Sequence, residues 1–236
     1  MSADRPAVTA SDVWKFFGDY AALREINLAV EPGTCLALLG RNGAGKTTLL
    51  RVIAGFSRAG RGDVRIFGGE ARDLATRRRI GVLGHGIAVY DELSAYENLT
   101  LFARLYGLDD PPGRAAEWLE RVGLTRVKDG LVREFSRGMR QRLAVARAFL
   151  HAPSLLLLDE PFTSLDDRAI AVLQAVLRDA VARGCTIVMS THQLREAMEL
   201  ATHVALLVRG KLAHHGERPP EMLSDPGWLY ARYGEA

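Results

Sequence analysis

Lysine is scarce in this chain. Of 31 basic residues among 236, only Lys15, Lys46, Lys128 and Lys211 are lysines, and GC-rich coding explains the arginine bias. Cysteine is scarce too: Cys35 and Cys185 each open an apolar, strand-like run, which points to buried reduced thiols rather than a disulfide or a metal site. Long apolar stretches are missing. The longest segments without Asp, Glu, Lys or Arg are 11 residues, Ile80–Tyr90, Ala148–Leu158 and Gly184–Leu194. A membrane-spanning helix needs about 20. Residues 1–10 carry Asp4, Arg5 and Pro6 with no apolar core, so they do not read as a secretory signal. A one-signed charge excess is also missing: 31 basic against 28 acidic residues leaves +3, which argues against a dedicated nucleic-acid binder. Arg77-Arg78-Arg79 is the one basic run and is expected on a solvated surface. What remains is a chain with 48% hydrophobic and 25% charged residues. That suits a soluble cytoplasmic protein of one domain or two closely packed subdomains.

Two strand–turn–helix units are legible, with a helical stretch between them. Ile26, Leu28 and Val30 alternate as in a half-buried strand, and Pro32-Gly33 turns the chain. Residues 34–39 are almost continuously apolar, as in a strand covered on both faces. A glycine loop and a helix over 47–54 follow, then a short strand around Val64 and Ile66. Ser94 and Glu97 form a capping-box pattern for a helix reaching Tyr106. A second helix is predicted after Pro111-Pro112, with Ala115, Trp118, Leu119 and Val122 on one face, and a third over 136–150. Residues 155–158 read as a buried strand, 166–183 as a long helix, 186–190 and 204–208 as further strands. The predicted division is an α/β core over 1–85 and 151–215, a helical subdomain over 86–150, and a C-terminal extension over 216–236.

The strongest chemical signal is Gly40-Arg41-Asn42-Gly43-Ala44-Gly45-Lys46-Thr47, which fits G-x-x-x-x-G-K-[ST] between a buried strand and a helix. Its glycines let backbone amides turn inward around phosphate oxygens, and the following helix offers its positive end. Lys46 can reach the β- and γ-phosphates, Thr47 offers a hydroxyl to Mg²⁺, and Thr48 a second near the α-phosphate. The second signal is Leu155–Leu158 followed by Asp159 and Glu160. That run puts two carboxylates at the carboxyl edge of a parallel sheet, where open α/β sheets bind ligands. Asp159 would hold Mg²⁺ through its water shell, and Glu160 would polarise the water attacking the γ-phosphate.

With these motifs in hand, roughly residues 8–215 resemble the ATP-binding subunit of an ABC transporter. The resemblance implies a P-loop NTPase (RecA-like) α/β core with an antiparallel β subdomain and an inserted α-helical subdomain. The family's L-S-G-G-Q-x-Q-R signature stands here as Phe135-Ser136-Arg137-Gly138-Met139-Arg140-Gln141-Arg142. By that resemblance Ser136 and Gly138 contact the γ-phosphate of ATP held by the other subunit. Phe17, before Gly18, matches the aromatic that stacks on adenine, although a lone aromatic is also a common core residue. Ser164-Leu165-Asp166 matches the loop that bridges the subunits, and His192 the switch histidine at the γ-phosphate. Arg137 and Met139 depart from the signature at side chains that need not touch phosphate. His85 stands where the family has a glutamine touching Mg²⁺ or water, and imidazole is a poor match for that hard cation.

Gly84-His85, Tyr90–Ser94, Glu97-Asn98-Leu99 and Phe102–Gly107 are similar to the ATP-binding subunit of haem exporters of cytochrome c biogenesis. Exporters of drugs, polysaccharides or lipids share much of the same pattern. The resemblance implies ATP and Mg²⁺ as ligands and a homodimer that closes on ATP. It also implies integral membrane permease subunits as partners, and a place on the inner face of the cell membrane. Tyr90, Leu93 and Tyr96 are candidates either for docking those subunits or for local core. A soluble ABC ATPase acting on ribosomes or DNA fits less well. Such proteins carry two ATP sites or a long insertion, whereas here there is one glycine loop and Lys46 lies 90 residues before Ser136.

Overall fold

The computed structural model describes residues 5–84 and 89–234. β1 (Val8–Phe17) and β2 (Tyr20–Val30) form an antiparallel hairpin that turns at Gly18, φ 56°. The buried β3 (Cys35–Leu39) leads through the glycine loop into α1 (Lys46–Ile53). β4 (Arg61–Ile66) and β5 (Gly69–Glu70) join the hairpin in a four-stranded antiparallel sheet ordered β2-β1-β4-β5. After α2 (Leu74–Arg77) and β6 (Ile80–Leu83) come three helices, α3 (Ala95–Tyr106), α4 (Pro111–Arg121) and α5 (Arg137–Phe149). The chain then returns through β7 (Leu155–Asp159), α6 (Asp167–Ala182), β8 (Thr186–Ser190), α7 (Leu194–Met198), β9 (His203–Val208) and β10 (Lys211–Glu217). It ends in α8 (Trp228–Tyr233). The second sheet is ordered β10-β9-β3-β8-β7-β6, parallel except for the pairing of β10 with β9.

The continuous apolar runs have a simple cause: both faces of this sheet are covered. Along β3, Cys35, Ala37 and Leu39 enter a core shared with α3, α4, α5 and α6. Leu36 and Leu38 enter the other core, shared with α1 and the antiparallel sheet. In β7 the split is Leu156 and Leu158 against Leu155 and Leu157. The period-2 alternation of strand side chains thus divides one apolar run between two cores.

The helical stretch follows its local signals closely. Ser94 accepts from the Glu97 amide at 3.1 Å and the Glu97 carboxylate accepts from the Ser94 amide at 2.8 Å, closing the predicted capping box. α3 ends at Gly107 in the left-handed conformation. Pro111 and Pro112 lie inside the first turn of α4 rather than before it, where a missing N–H breaks no helical bond. Buried Asn98 accepts from the Tyr90 amide and donates to the Tyr90 and Ser94 carbonyls, tying the entry loop onto α3.

Two strands escape the alternation pattern. β1 is bulged between Ala10 and Val13, with Asp12 at φ 48°, so its apolar residues fall out of phase. β10 is an edge strand with little to bury, and His214 is half-buried under Tyr233, ring centroids 5.2 Å apart, rather than exposed. The segment after β10 is also packed: Met222 and Leu229 are fully buried in the helical-side core. Among the described residues no helix is long and apolar enough to cross a membrane.

Candidate functional site

The carboxyl ends of β3, β7 and β8 lie side by side, and each delivers polar groups. β3 ends in the glycine loop. Gly40 sits at φ 150° and Gly45 at φ 107°, and a Cβ on Gly45 would stand 2.8 Å from the Ala22 carbonyl oxygen. Neither conformation nor space admits a side chain there. Lys46, 7% exposed, folds back over the loop and donates to the Gly40 carbonyl at 2.7 Å and the Arg41 carbonyl at 3.3 Å. Burial lowers its pKa, and the charges of Glu160 and Asp159 oppose that shift. Arg41, Asn42 and Gly43 are exposed on the outer side of the loop, and Ala44 is buried.

Asp159 closes β7 and is buried. One of its oxygens accepts from the Thr47 hydroxyl at 3.1 Å and, over a short contact, from the Ser190 hydroxyl at the end of β8. Ser190 is not among the residues that the sequence singles out. Its signal was a hydroxyl closing a buried strand parallel to the one that ends in Asp159. Thr48, the second hydroxyl, is half-buried in the first turn of α1.

Glu160 sits one residue on, in the left-handed region at φ 55°, and its amide donates to the Ser190 carbonyl. A glutamate in that conformation is strained, a feature concentrated at functional sites. Its carboxylate meets the Nδ1 of His192 at 2.8 Å and accepts from the His192 amide at 3.2 Å. The histidine ring is 62% exposed, so it can turn without unpacking a core.

Phe17 lies at the end of β1, 58% exposed, with the Lys15 ammonium 5.2 Å from its ring centroid. Its ring is therefore offered to solvent rather than to the core. Ser136, Gly138 and Asp166 gather elsewhere. Ser136 caps α5 by accepting from the Met139 amide, and Asp166 caps α6 by accepting from the Ala169 amide. A Cβ on Gly138 would lie 3.2 Å from the Ser164 carbonyl oxygen, so the start of α5 abuts the loop 164–166. Among the described residues, none of the hydrogen bonds made by these three reaches loop 40–48. His85 falls outside the described residues.

The family model described as ABC transporter matches residues 23–163, from β2 through the loop, α5 and β7 to just past Glu160. The chain belongs to the ABC transporter family. It is 36% identical over 216 residues to the Nod factor export ATP-binding protein I of Cupriavidus metallidurans, covering 90% of this chain and 71% of that protein. To the daunorubicin resistance ATP-binding protein DrrA3 of Streptomyces coeruleorubidus it is 38% identical over 214 residues, 89% of this chain and 68% of that one. A bacterial ABC transporter cassette solved as a dimer superposes with a TM-score of 0.84 at 26% identity, covering 90% of this chain and 99% of that one. The α/β sheet with its flanking antiparallel sheet and helical stretch is thus the P-loop NTPase fold of ABC cassettes, as the sequence implied.

Within this ABC transporter family chain the hydroxyl of Thr47 and the carboxylate of Asp159 make a hard-oxygen pair. That donor chemistry suits Mg²⁺, and neither residue needs to move far to share an ion or its water shell.

Proposed function

We propose that this chain binds and hydrolyses ATP to power export through separate integral membrane subunits. The observation that carries this reading is the convergence of Lys46, Thr47, Asp159, Glu160 and His192 at three adjacent strand ends. In this reading ATP lies along Gly40–Thr48 with its adenine on the exposed ring of Phe17. Amides of the loop and of α1 cradle its phosphates. Lys46 leaves the Gly40 and Arg41 carbonyls for the β- and γ-phosphates. Thr47 and, through water, Asp159 would hold Mg²⁺, which when bound offsets the charge on the β- and γ-phosphate oxygens. Glu160 takes a proton from water as the water oxygen attacks the γ-phosphorus and the bond to the bridging oxygen of ADP breaks. His192 holds the Glu160 carboxylate in place through Nδ1 and presents its other nitrogen to the γ-phosphate.

Ser136, Gly138 and Asp166 belong to the opposing site. The side-chain hydrogen bonds of Ser136 and Asp166 are spent on local caps and none reaches this chain's own loop, which supports a homodimer with each ATP held between one subunit's glycine loop and the other's Ser136–Gly138. A membrane partner is supported by a groove of about 680 Å³ between the α/β sheet and α3. Exposed Phe56, Leu74 and Leu105 line it together with Arg77, and it opens beside Thr47 and Asp159. Tyr90, stacked on Phe102 and 49% exposed, sits on the same helical side. The protein would then work in the cytoplasm, peripherally on the inner face of the cell membrane.

For cargo we favour haem in cytochrome c biogenesis, on the motifs around Gly84-His85, Tyr90–Ser94 and Phe102–Gly107. A drug, polysaccharide or lipid cargo is the second reading, favoured by relatives named for Nod factor export and daunorubicin resistance. ATP turnover by the purified chain tests the enzyme. A haem stain of membrane proteins from cells whose own copy carries Glu160→Gln tests the cargo. Loss of covalently haem-labelled cytochromes, restored by the wild-type gene, supports haem. Normal staining with no second copy of the gene leaves the wider exporter reading standing and removes haem from it.

A further inference from the structure

The C-terminal segment reaches the glycine loop from behind. The Tyr230 hydroxyl of α8 accepts from the Gly40 amide at 2.8 Å, across 190 residues of sequence. Gly40 is the residue whose carbonyl accepts from Lys46. Its two backbone polar groups are therefore held by opposite ends of the chain, one by the lysine of the loop and one by the last helix. Gly40 has no other freedom to exploit. A Cβ there would stand 2.6 Å from the Leu207 carbonyl oxygen, so the peptide is pressed against β9.

The hydroxyl is anchored rather than incidental. α8 is short, yet Leu229 beside Tyr230 is fully buried, Met222 upstream is fully buried, and Tyr233 stacks on His214 of β10. Burial, with the nearby Glu160 charge, raises the Tyr230 pKa, so the phenol stays protonated at neutral pH. Its ring forms one wall of a cavity of about 430 Å³ whose other walls include Arg41, Asn42, Gly43 and Ala44. The hydroxyl thus holds the first amide of the loop from within this cavity.

We infer that Tyr230 is a positioning residue for ATP: it sets the first peptide of the glycine loop, so that residues 219–234 tune nucleotide affinity rather than the chemical step. The inference rests on the reading of the loop as an ATP site.

The test compares wild-type, Tyr230→Phe and Glu160→Gln proteins, measuring ATP affinity at equilibrium, KM and kcat for ATP, and thermal unfolding. Tyr230→Phe keeps the ring and its packing and deletes only the acceptor. Its ATP affinity should fall, and KM rise, by about fivefold, the scale of one lost hydrogen bond, with kcat within about twofold and the melting temperature lowered by only about a few degrees. Unchanged affinity in Tyr230→Phe, while wild-type and Glu160→Gln bind ATP, overturns the role of Tyr230 and leaves the site reading intact. So does a loss of kcat that tracks a loss of thermal stability at constant KM. If neither wild-type nor Glu160→Gln binds ATP, the reading of the site itself fails.

Discussion

Around the glycine loop the polar side chains reach across elements: Thr47 of α1 to Asp159 of β7, Ser190 of β8 to Asp159, and Glu160 to His192. Around Ser136 the caps stay within a turn. Ser136 takes the Met139 amide and Asp166 takes the Ala169 amide, while Gln141 donates to the Pro161 carbonyl and the longer reach is left to Arg140, which pairs with Asp91. The first region is assembled by one chain and is complete in its own bonds. In the second, among the described residues, neither Ser136 nor Asp166 makes a hydrogen bond to loop 40–48. In the proposed site Asp159 is thus pre-organised by the strands beside it, while the exposed His192 ring stays free to turn. In the proposed dimer, Ser136 and Asp166 would meet the nucleotide only on closure, and both are held by helix caps that fix a backbone without requiring the nucleotide.

This contrast can be broken experimentally. Glu160→Gln should lower ATP turnover by about two to three orders of magnitude, as loss of a general base does, while binding ATP and trapping a dimer in size-exclusion chromatography. Wild-type turnover in that variant removes Glu160 from the role. Lys46→Ala should weaken ATP binding by about 10- to 100-fold through loss of charge-assisted hydrogen bonds, read by equilibrium titration. Equal affinity would mean that the lysine serves only the loop carbonyls it meets here. Ser190→Ala removes the donor that orients Asp159. Because such supporting contacts set how well a carboxylate holds an ion or its water shell, the Mg²⁺ concentration needed for half-maximal turnover should rise about tenfold, with folding intact. An unchanged Mg²⁺ dependence would make the Ser190 contact purely structural.

Ser136→Ala should show the smallest effect on the isolated subunit. Loss of the cap costs about 1 kcal/mol of stability, read by denaturant unfolding. ATP affinity of the monomer should stay at the wild-type level while dimer formation on ATP declines. A fall in monomer affinity would place Ser136 in its own chain's site and erase the distinction between the two regions.

Much of this was readable along the chain. The glycine loop, the apolar run ending in Asp159-Glu160 and the Ser94/Glu97 capping box all depend on neighbours within a few residues, so local chemistry specifies them. α6 begins at Asp167, one residue later than expected, because Asp166 is its cap, and α1 begins at Lys46, one residue earlier than expected, directly after the left-handed Gly45. β1 was harder, since its bulge breaks the alternation that marks a strand.

By itself the sequence determined the glycine loop, its lysine and the paired carboxylates, because their residue types and close spacing fix a local backbone pattern and local charge. Only the tertiary structure decided which of them meet. The parallel pairing of β7 with β8 puts Ser190 on Asp159, and the return of α8 puts Tyr230 on Gly40. Both contacts join residues far apart in the chain, where the pairing of strands and the burial of Leu229, not any local pattern, bring hydroxyl and partner within bonding distance.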